Sequence, residues 1–283
     1  MGATLPPLDA GPRPAQDSAM LIDVHAHFFH SAGARADGAD LNRRRLTAGD
    51  RIGITFHVAS ILGSWGRSSP TYFPSPADLT QANAAQRALQ QEHPRRIRGY
   101  VAVNPNFTAH ALVEMKTGAA GGMIGLKLAA SRRADDPLLD PLCEAAARLG
   151  FPVLQHVWQH RRREWPGQEA SDGVELCRLA ARHPGTGFIL AHIGGGGDWL
   201  HTLRAVRPHA NVYVDLSGSG TDGGMLEACL RAVGAERLLW GADVTLCTGW
   251  AKLRRLERLL PAADAELIRS GNAIRLFPAG AFG

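Results

Sequence analysis

The residue pair best suited to chemistry in this chain is His25 and His27, which directly follow the largely apolar residues 21–24. In an extended strand, side chains two positions apart point to the same face, about 6.6 Å apart along the axis, so both imidazoles can reach one metal ion. Because the chain contains 12 histidines, the spacing also arises by chance, and a pair of core or solvated histidines is the alternative. The pair indicates a metal site only together with residues further along the chain.

Length and composition describe a globular protein with a sizeable core. The chain has 283 residues, of which 45% are apolar, enough for one large domain or two ordinary ones. Residues 1–19 are rich in Pro, Gly and Ala and lack the continuous apolar stretch of a secretion signal, so we interpret them as a flexible leader. The chain contains no run of about 18 apolar residues, so the sequence predicts no membrane-spanning helix. We therefore expect a cytoplasmic protein without a membrane partner.

The net charge of +5 raises the question of a polyanionic partner. The two conspicuous basic clusters, residues 43–45 and 161–163, are not interleaved with aromatic residues, and the chain contains no zinc-finger or helix-turn-helix signature. We interpret both clusters as solvated basic faces and expect no nucleic-acid partner.

The four cysteines are scattered, which argues against a disulfide framework and against a cysteine zinc knuckle. They are Cys143, Cys177, Cys229 and Cys247. We expect all four to be small buried side chains, with a position lining a pocket as the alternative for Cys247.

From residue 21 onward, β-rich runs alternate with segments of helical period. The eight predicted strands are residues 21–26, 53–61, 97–103, 122–128, 151–157, 187–193, 211–217 and 237–243. Their spacing leaves room for a helix between successive strands, so the strands should be parallel. The clearest predicted helices are residues 76–93, 138–149 and 174–183, bounded by proline or glycine.

Eight such units over residues 20–283 predict one catalytic domain of the α/β class, a (β/α)8 TIM barrel. An open doubly wound sheet is the alternative. It would usually carry a glycine-rich turn after the first strand, where this chain has His-Ala-His.

Polar residues occur at the ends of five predicted strands: His25 and His27, Lys127, His156, His192 and Asp243. In a (β/α)8 barrel, all strand C-termini converge on one mouth, where active sites of this fold lie. Each side chain alone has an ordinary alternative, a hydrogen-bonded core histidine or a surface lysine. Together they favour a metal site, because burying so many polar groups is costly unless they are paired or coordinated.

These residues and several local strings resemble the amidohydrolase superfamily of metal-dependent TIM-barrel enzymes. The strings are DVHAH, GLKLAASRRADDP, FILAHIGGGG, NVYVDLSGS, LLWGAD and GNAIRLF. They are most similar to the amidohydrolase-related branch (amidohydrolase 2), which includes aminocarboxymuconate-semialdehyde decarboxylase, resorcylate decarboxylases and related lactonases. The resemblance extends over residues 21–277. The sequence departs from the branch after the last strand, where Val244 follows Asp243 in place of the more usual nearby proline.

The resemblance implies that His25, His27, His156 and Asp243 bind one divalent ion, foremost Zn²⁺, with Mn²⁺ as the alternative. His192 and Asp243 would be the catalytic acid/base residues. In two-metal members, a lysine at the position of Lys127 is carboxylated and bridges a second metal. We favour the unmodified amine, which would instead attract a substrate carboxylate.

The resemblance implies foremost a hydrolase of a small lactone, amide or related carbonyl compound that uses metal-activated water. The alternative is a non-oxidative decarboxylase of a small carboxylated aromatic or unsaturated acid. A non-catalytic binding protein that has kept the barrel is the remote third hypothesis. We expect a small-molecule partner in each case, and a homodimer paired through outer helices.

Residues just after the strand ends are the candidates for the substrate pocket. With Lys127, the substrate-binding candidates are Trp65, Trp158, His160 and Arg161, and Phe29, His30 and Arg67 follow strand ends in the same way. Arg132 and Arg133 follow Lys127 and predict an electropositive mouth. Such a mouth favours an anionic, carboxylate-bearing substrate.

Overall fold

The structure is a computed structural model that describes residues 20–29, 36–63, 72–157, 166–193, 198–218, 220 and 223–283. The leader predicted over residues 1–19 lies outside these ranges, so its boundary stays a prediction. The same holds for the basic cluster at residues 161–163.

Eight strands form one sheet in which every strand pairs in parallel with its sequence neighbours. They are β1 (Ile22–His27), β2 (Phe56–Ser60), β3 (Ile97–Val103), β4 (Gly125–Leu128), β5 (Val153–Gln155), β6 (Phe188–Leu190), β7 (Val212–Asp215) and β8 (Leu238–Leu239). The sheet closes between its ends, because the amide of Val24 donates to the carbonyl of Trp240 at 3.1 Å and the amide of Asp243 to that of His25 at 2.6 Å. The predicted (β/α)8 barrel is confirmed.

Helices follow the strands around the barrel. They are α1 (Gly38–Ile52), α2 (Pro76–Glu92), α3 (Thr108–Ala120), α4 (Asp140–Leu149), α5 (Gly173–Arg182), α6 (Trp199–Val206), α7 (Met225–Val233), α8 (Leu246–Leu259), α9 (Ala262–Glu266) and α10 (Asn272–Leu276). The predicted helix at 76–93 extends one residue beyond the end of α2, and the one at 174–183 is shifted by one residue at both ends relative to α5. Both begin at capping boxes, Ser75 with Asp78 and Asp172 with Glu175, which satisfy the first amides of each helix. Among the described residues, no helix is both long and apolar enough to cross a membrane.

Alternating residues of the strands divide the core into two apolar layers. One contains strand residues such as Tyr100, Leu154 and Ile189 and no residue of helices α1 to α9, so it fills the barrel. The other layer lies between the outer faces of the strands and the surrounding helices, and it contains both Val101 of β3 and Met115 of α3. Toward the strand C-termini, the inward positions become polar, and this change creates the floor of the candidate site.

A β-bulge interrupts the alternation in β1. Asp23 pairs with His57 and Ala26 with Ala59, so β1 has one more residue than β2 between these pairs. Val24 belongs to the barrel interior, yet the next residue, His25, also points inward. Asp23 instead faces outward and bonds to Arg45 of α1. A bulge that re-aims side chains in this way is common beside active sites.

Two predictions about surface residues are wrong. Cys247 is exposed, not buried, whereas the other three cysteines are buried as expected. The basic cluster at residues 43–45 is not one solvated face either. Arg43 and Arg44 pair with Asp40 at the surface, but the side chain of Arg45 is only 9% exposed and pairs with the buried Asp23.

Candidate metal centre

Three of the predicted ligands lie together at the barrel mouth. His25, His27 and Asp243 each offer one donor atom, and these atoms all lie within 4.8 Å of one another. Asp243 Oδ1 is 3.3 Å from Nε2 of His27 and 3.8 Å from Nε2 of His25. Two imidazoles and a carboxylate form a mixed donor set that suits Zn²⁺ or Mn²⁺.

Hydrogen bonds on the far side of each ring orient the two imidazoles. Nδ1 of His25 donates to Asp215 Oδ2 at 2.7 Å, and Nδ1 of His27 donates to the carbonyl oxygen of Ser60 at 3.0 Å. Each ring therefore presents the lone pair of Nε2 to the centre, which is the tautomer a metal ligand requires. The donor set and its orientation fit a divalent ion.

Lys127 reaches the same centre from β4. It is fully buried, and its Nζ donates to Nε2 of His25 at 3.2 Å. Burial lowers the pKa of Lys127 to about 8, against the opposing effects of Asp243 and Asp215. A cationic group thus already lies at the lone pair that would bind the metal.

His156 and His192 extend the centre on its other side. Nε2 of His192 shares a hydrogen bond of 3.0 Å with Nδ1 of His156, and the ring of His192 stacks on that of His25 at 5.8 Å between centroids. Among the described residues, the ligand cluster consists of His25, His27 and Asp243. His156 is not part of it and is connected to it by its hydrogen bond to His192. The role of His156 as a fourth ligand stays a prediction.

The backbone is unusual at both predicted catalytic residues. His192 and Asp243 have φ values of +42° and +54°, in the left-handed region that residues other than glycine rarely adopt. Such conformations cost on the order of 1–3 kcal/mol and occur preferentially at functional sites. Gly241 allows the close approach here, because a Cβ at this position would lie 2.4 Å from Asp215 Oδ1. The turn after β8 thus brings Asp243 to the two histidines.

Burial favours the neutral form of three histidines of the centre, His25, His156 and His192. The pKa values of His25 and His156 are well below the usual histidine value, and that of His192 is lowered as well, because burial disfavours the charged ring. Burial acts in the opposite sense on Asp243, but the neighbouring His25 and His27 outweigh it and lower the pKa of the carboxyl well below its usual range. Neutral imidazoles beside an ionised carboxylate are the protonation states that metal ligands need.

Sequence reasoning did not single out Asp215, although it lies in the centre. Its Oδ2 accepts hydrogen bonds from Nδ1 of His25, from the hydroxyl of Ser217 at 2.6 Å and from the amide of His192 at 3.2 Å. The signal was available in the sequence, because Asp215 ends the seventh strand, just as His156 and Asp243 follow the ends of the fifth and eighth strands. Asp23 was missed too, since its role depends on the β1 bulge.

The described structure does not test most of the predicted pocket residues, which stay a prediction. Trp65, Trp158, His160 and Arg161, together with His30 and Arg67, lie outside the described residues, and the backbone of Phe29 bonds to Asn42. Arg132 pairs with Asp136, while Arg133 pairs with Asp135 and Glu175. The positive charges of Arg132 and Arg133 are therefore balanced locally. Within the part of the chain that the structure describes, Lys127 supplies the positive charge at the centre.

A family model described as amidohydrolase matches residues 22–279. The chain belongs to this family. It is a metal-binding enzyme of the amidohydrolase superfamily, and this superfamily includes both hydrolases and decarboxylases. No functionally curated protein matches the sequence at a significant level.

Solved structures share the amidohydrolase fold at low sequence identity. The 5-carboxyvanillate decarboxylase from Sphingomonas paucimobilis is 19% identical with a TM-score of 0.67, over 92% of this chain and 99% of that chain. A dihydroxybenzoic acid decarboxylase from Polaromonas sp. JS666, with bound manganese and the inhibitor 2-nitroresorcinol, is 16% identical with a TM-score of 0.66, over 91% and 96%. A 5-carboxyvanillate decarboxylase from Novosphingobium aromaticivorans, with bound manganese and 3-methoxy-4-hydroxy-5-nitrobenzoic acid, is 14% identical with a TM-score of 0.68, over 93% and 98%.

Proposed function

We propose that this amidohydrolase is a metal-dependent, non-oxidative decarboxylase of a small carboxylated aromatic or unsaturated acid. The observation that carries the proposal is the position of Lys127, whose buried Nζ lies 3.2 Å from Nε2 of His25, a proposed metal ligand. A bound metal and this cation together would attract a carboxylate-bearing substrate. The similarity in fold to manganese-bound decarboxylases of carboxylated aromatics supports the same choice.

The proposed ligands are His25, His27, His156 and Asp243, around one divalent ion. When bound, such an ion supplies Lewis acidity that polarises substrate oxygens. Lys127 serves as the unmodified amine and holds the substrate carboxylate. Elemental analysis of purified protein tests this, because one equivalent per chain is expected, and two would indicate a carboxylated Lys127 bridging a second ion.

The metal itself is proposed to be Mn²⁺ or Zn²⁺. Manganese is bound in two of the similar structures, and the His and carboxylate donors suit either ion. To distinguish the two ions, each is added separately to chelator-treated protein, and the activity that each restores is measured.

We propose that the acid/base residues of the chain transfer one proton to the substrate. Asp243, which is ionised at rest, or His192 first takes up this proton from solvent and then delivers it to the substrate carbon that bears the carboxylate. The bond to the carboxylate then breaks, its electron pair restores the substrate double bond that protonation used, and CO₂ leaves. Overall, a carboxylate and a proton become a C–H bond and CO₂, so no oxidant or reductant is needed.

A hydrolase of a small lactone or amide is the second candidate, favoured by the family match itself. The same residues would serve, with the ionised Asp243 accepting a proton from the attacking water. In both candidates, we propose that Trp65, Trp158, His160 and Arg161 contribute to the substrate pocket, since they follow the second and fifth strands in the sequence.

A substrate panel tests the choice. Hydroxybenzoates, carboxyvanillate and unsaturated dicarboxylates are assayed for CO₂ release, and lactones and amides for hydrolysis. The decarboxylase is supported if the protein releases CO₂, if Asp243→Asn abolishes this release, and if the control variant Asp264→Asn in α9 retains it. Hydrolysis without CO₂ release from any acid would instead establish the second candidate.

A further inference from the structure

The β1 bulge decides where the metal-binding imidazoles point. Strict alternation would place His25 and His27 on the same face as Asp23, outside the barrel and against α1. The extra residue between Asp23 and Ala26 turns both histidines inward instead. A bulge also takes backbone groups out of the regular ladder, so its conformation depends on other partners.

Tyr100 supplies one such partner from inside the barrel. Its hydroxyl donates to the carbonyl oxygen of Val24, the bulge residue, at 2.7 Å, and its side chain is fully buried. The ring fits closely against Gly125 of β4, where a Cβ would lie 2.6 Å from two ring carbons. The hydroxyl is therefore held in place by a ring that has little room to move.

Asp23 supplies the partners from outside. Its Oδ1 accepts from the amide of His25 at 3.2 Å and from the amide of Ala242 at 2.9 Å. One oxygen thus joins the backbone of a ligand on β1 to the residue just before Asp243. Its Oδ2 bonds to Arg45 and His57, both at 3.0 Å, which fixes the carboxylate between α1 and β2.

We propose that Tyr100 and Asp23 are positioning residues that hold the β1 bulge and thereby set the metal affinity of the centre. Neither offers an atom to the ligand cluster, and both act through the backbone that carries the ligands. The inference rests on the metal site of the proposed function but not on the reaction catalysed there. Loss of comparable outer partners typically weakens metal binding 10- to 100-fold.

Manganese titration followed by electron paramagnetic resonance tests the inference without any substrate. Tyr100→Phe keeps the ring and removes only the hydroxyl, and about tenfold weaker Mn²⁺ binding is expected. Tyr213→Phe is the matched control, since it removes a hydroxyl of β7 that makes no hydrogen bond to the bulge among the described residues, and unchanged binding is expected. Circular dichroism verifies that each variant is folded.

A second pair of variants separates positioning from stability. Asp23→Asn and Asp23→Ala both lose the charge that faces Arg45 and His57, but only Asn keeps an oxygen for the two amides. Asn should therefore retain more Mn²⁺ affinity than Ala. Wild-type affinity in Tyr100→Phe, or equal affinities in the two Asp23 variants, would overturn the inference. Absence of metal binding in the wild type would instead refute the proposed function.

Discussion

The Oδ2 atom of Asp215 accepts a hydrogen bond of 2.7 Å from Nδ1 of His25, so a carboxylate at the end of β7 sets the orientation of the proposed metal ligand on β1. This bond keeps the proton on Nδ1 and leaves Nε2 for the metal. Asp215→Asn should weaken metal binding by about 10- to 100-fold, because a neutral amide orients the ring less strongly. Isothermal titration with Mn²⁺ and Zn²⁺ measures the effect.

The control for Asp215→Asn is the same substitution at Asp264 in α9. It should leave the dissociation constant of the metal unchanged. An Asp215→Asn variant that is folded and binds both ions as tightly as the wild type would show that the ring orientation is set elsewhere.

Lys127 should determine affinity for carboxylates. Lys127→Met keeps an apolar stem of similar length and removes the charge, so KM for a carboxylated substrate should rise by about 10- to 100-fold, the value of a hydrogen bond to a charged group. Inhibition by small carboxylates such as benzoate should weaken in parallel. Lys116→Met in α3 is the control, and steady-state kinetics measures both. An unchanged inhibition constant for benzoate in Lys127→Met would contradict the assignment.

The barrel was predictable because its strands bury both faces and its helices carry clear boundary signals. β3 coincides with the predicted residues 97–103. β8 is much shorter than the predicted 237–243, because its regular pairing with β7 ends at Leu239. Beyond that residue, the backbone bonds to β1 through isolated contacts of Trp240 and Asp243, and φ is positive at Asp243. Apolar content marks a segment as buried, but it does not show where hydrogen bonding ends.

The candidate site was predictable only in part. His25, His27 and Asp243 lie together because strand ends of a barrel share one mouth, which is a property of the topology. The bulge that aims His25 depends on how β1 pairs with β2, and no local pattern in residues 22–27 encodes it. The partners that hold the bulge, Asp23 and Tyr100, could not be found without it.

Neighbouring arginines in α1 should differ sharply in their effect on stability. Arg45 pairs with the fully buried Asp23, so Arg45→Met leaves that carboxylate without its strongest cation and should destabilise the fold by about 3–5 kcal/mol. Arg43→Met removes an exposed pair with Asp40 and should cost under about 0.5 kcal/mol. Urea unfolding followed by circular dichroism compares the two variants. Similar midpoints for both would show that the Arg45 pair contributes no more than a surface pair.

Thiol reactivity should distinguish one cysteine from the other three. Burial raises the pKa of Cys143, Cys177 and Cys229 to about 12, so almost no reactive thiolate forms on them near pH 8, whereas Cys247 is exposed in the first turn of α8. With Ellman's reagent at pH 8, one thiol per native chain should react rapidly, and the other three only after unfolding in guanidinium. Cys247→Ser should abolish the rapid phase without changing the total of the slow one. Two or more rapid thiols in the native protein would mean that the strand–helix layer around the buried cysteines opens far more readily than its packing indicates.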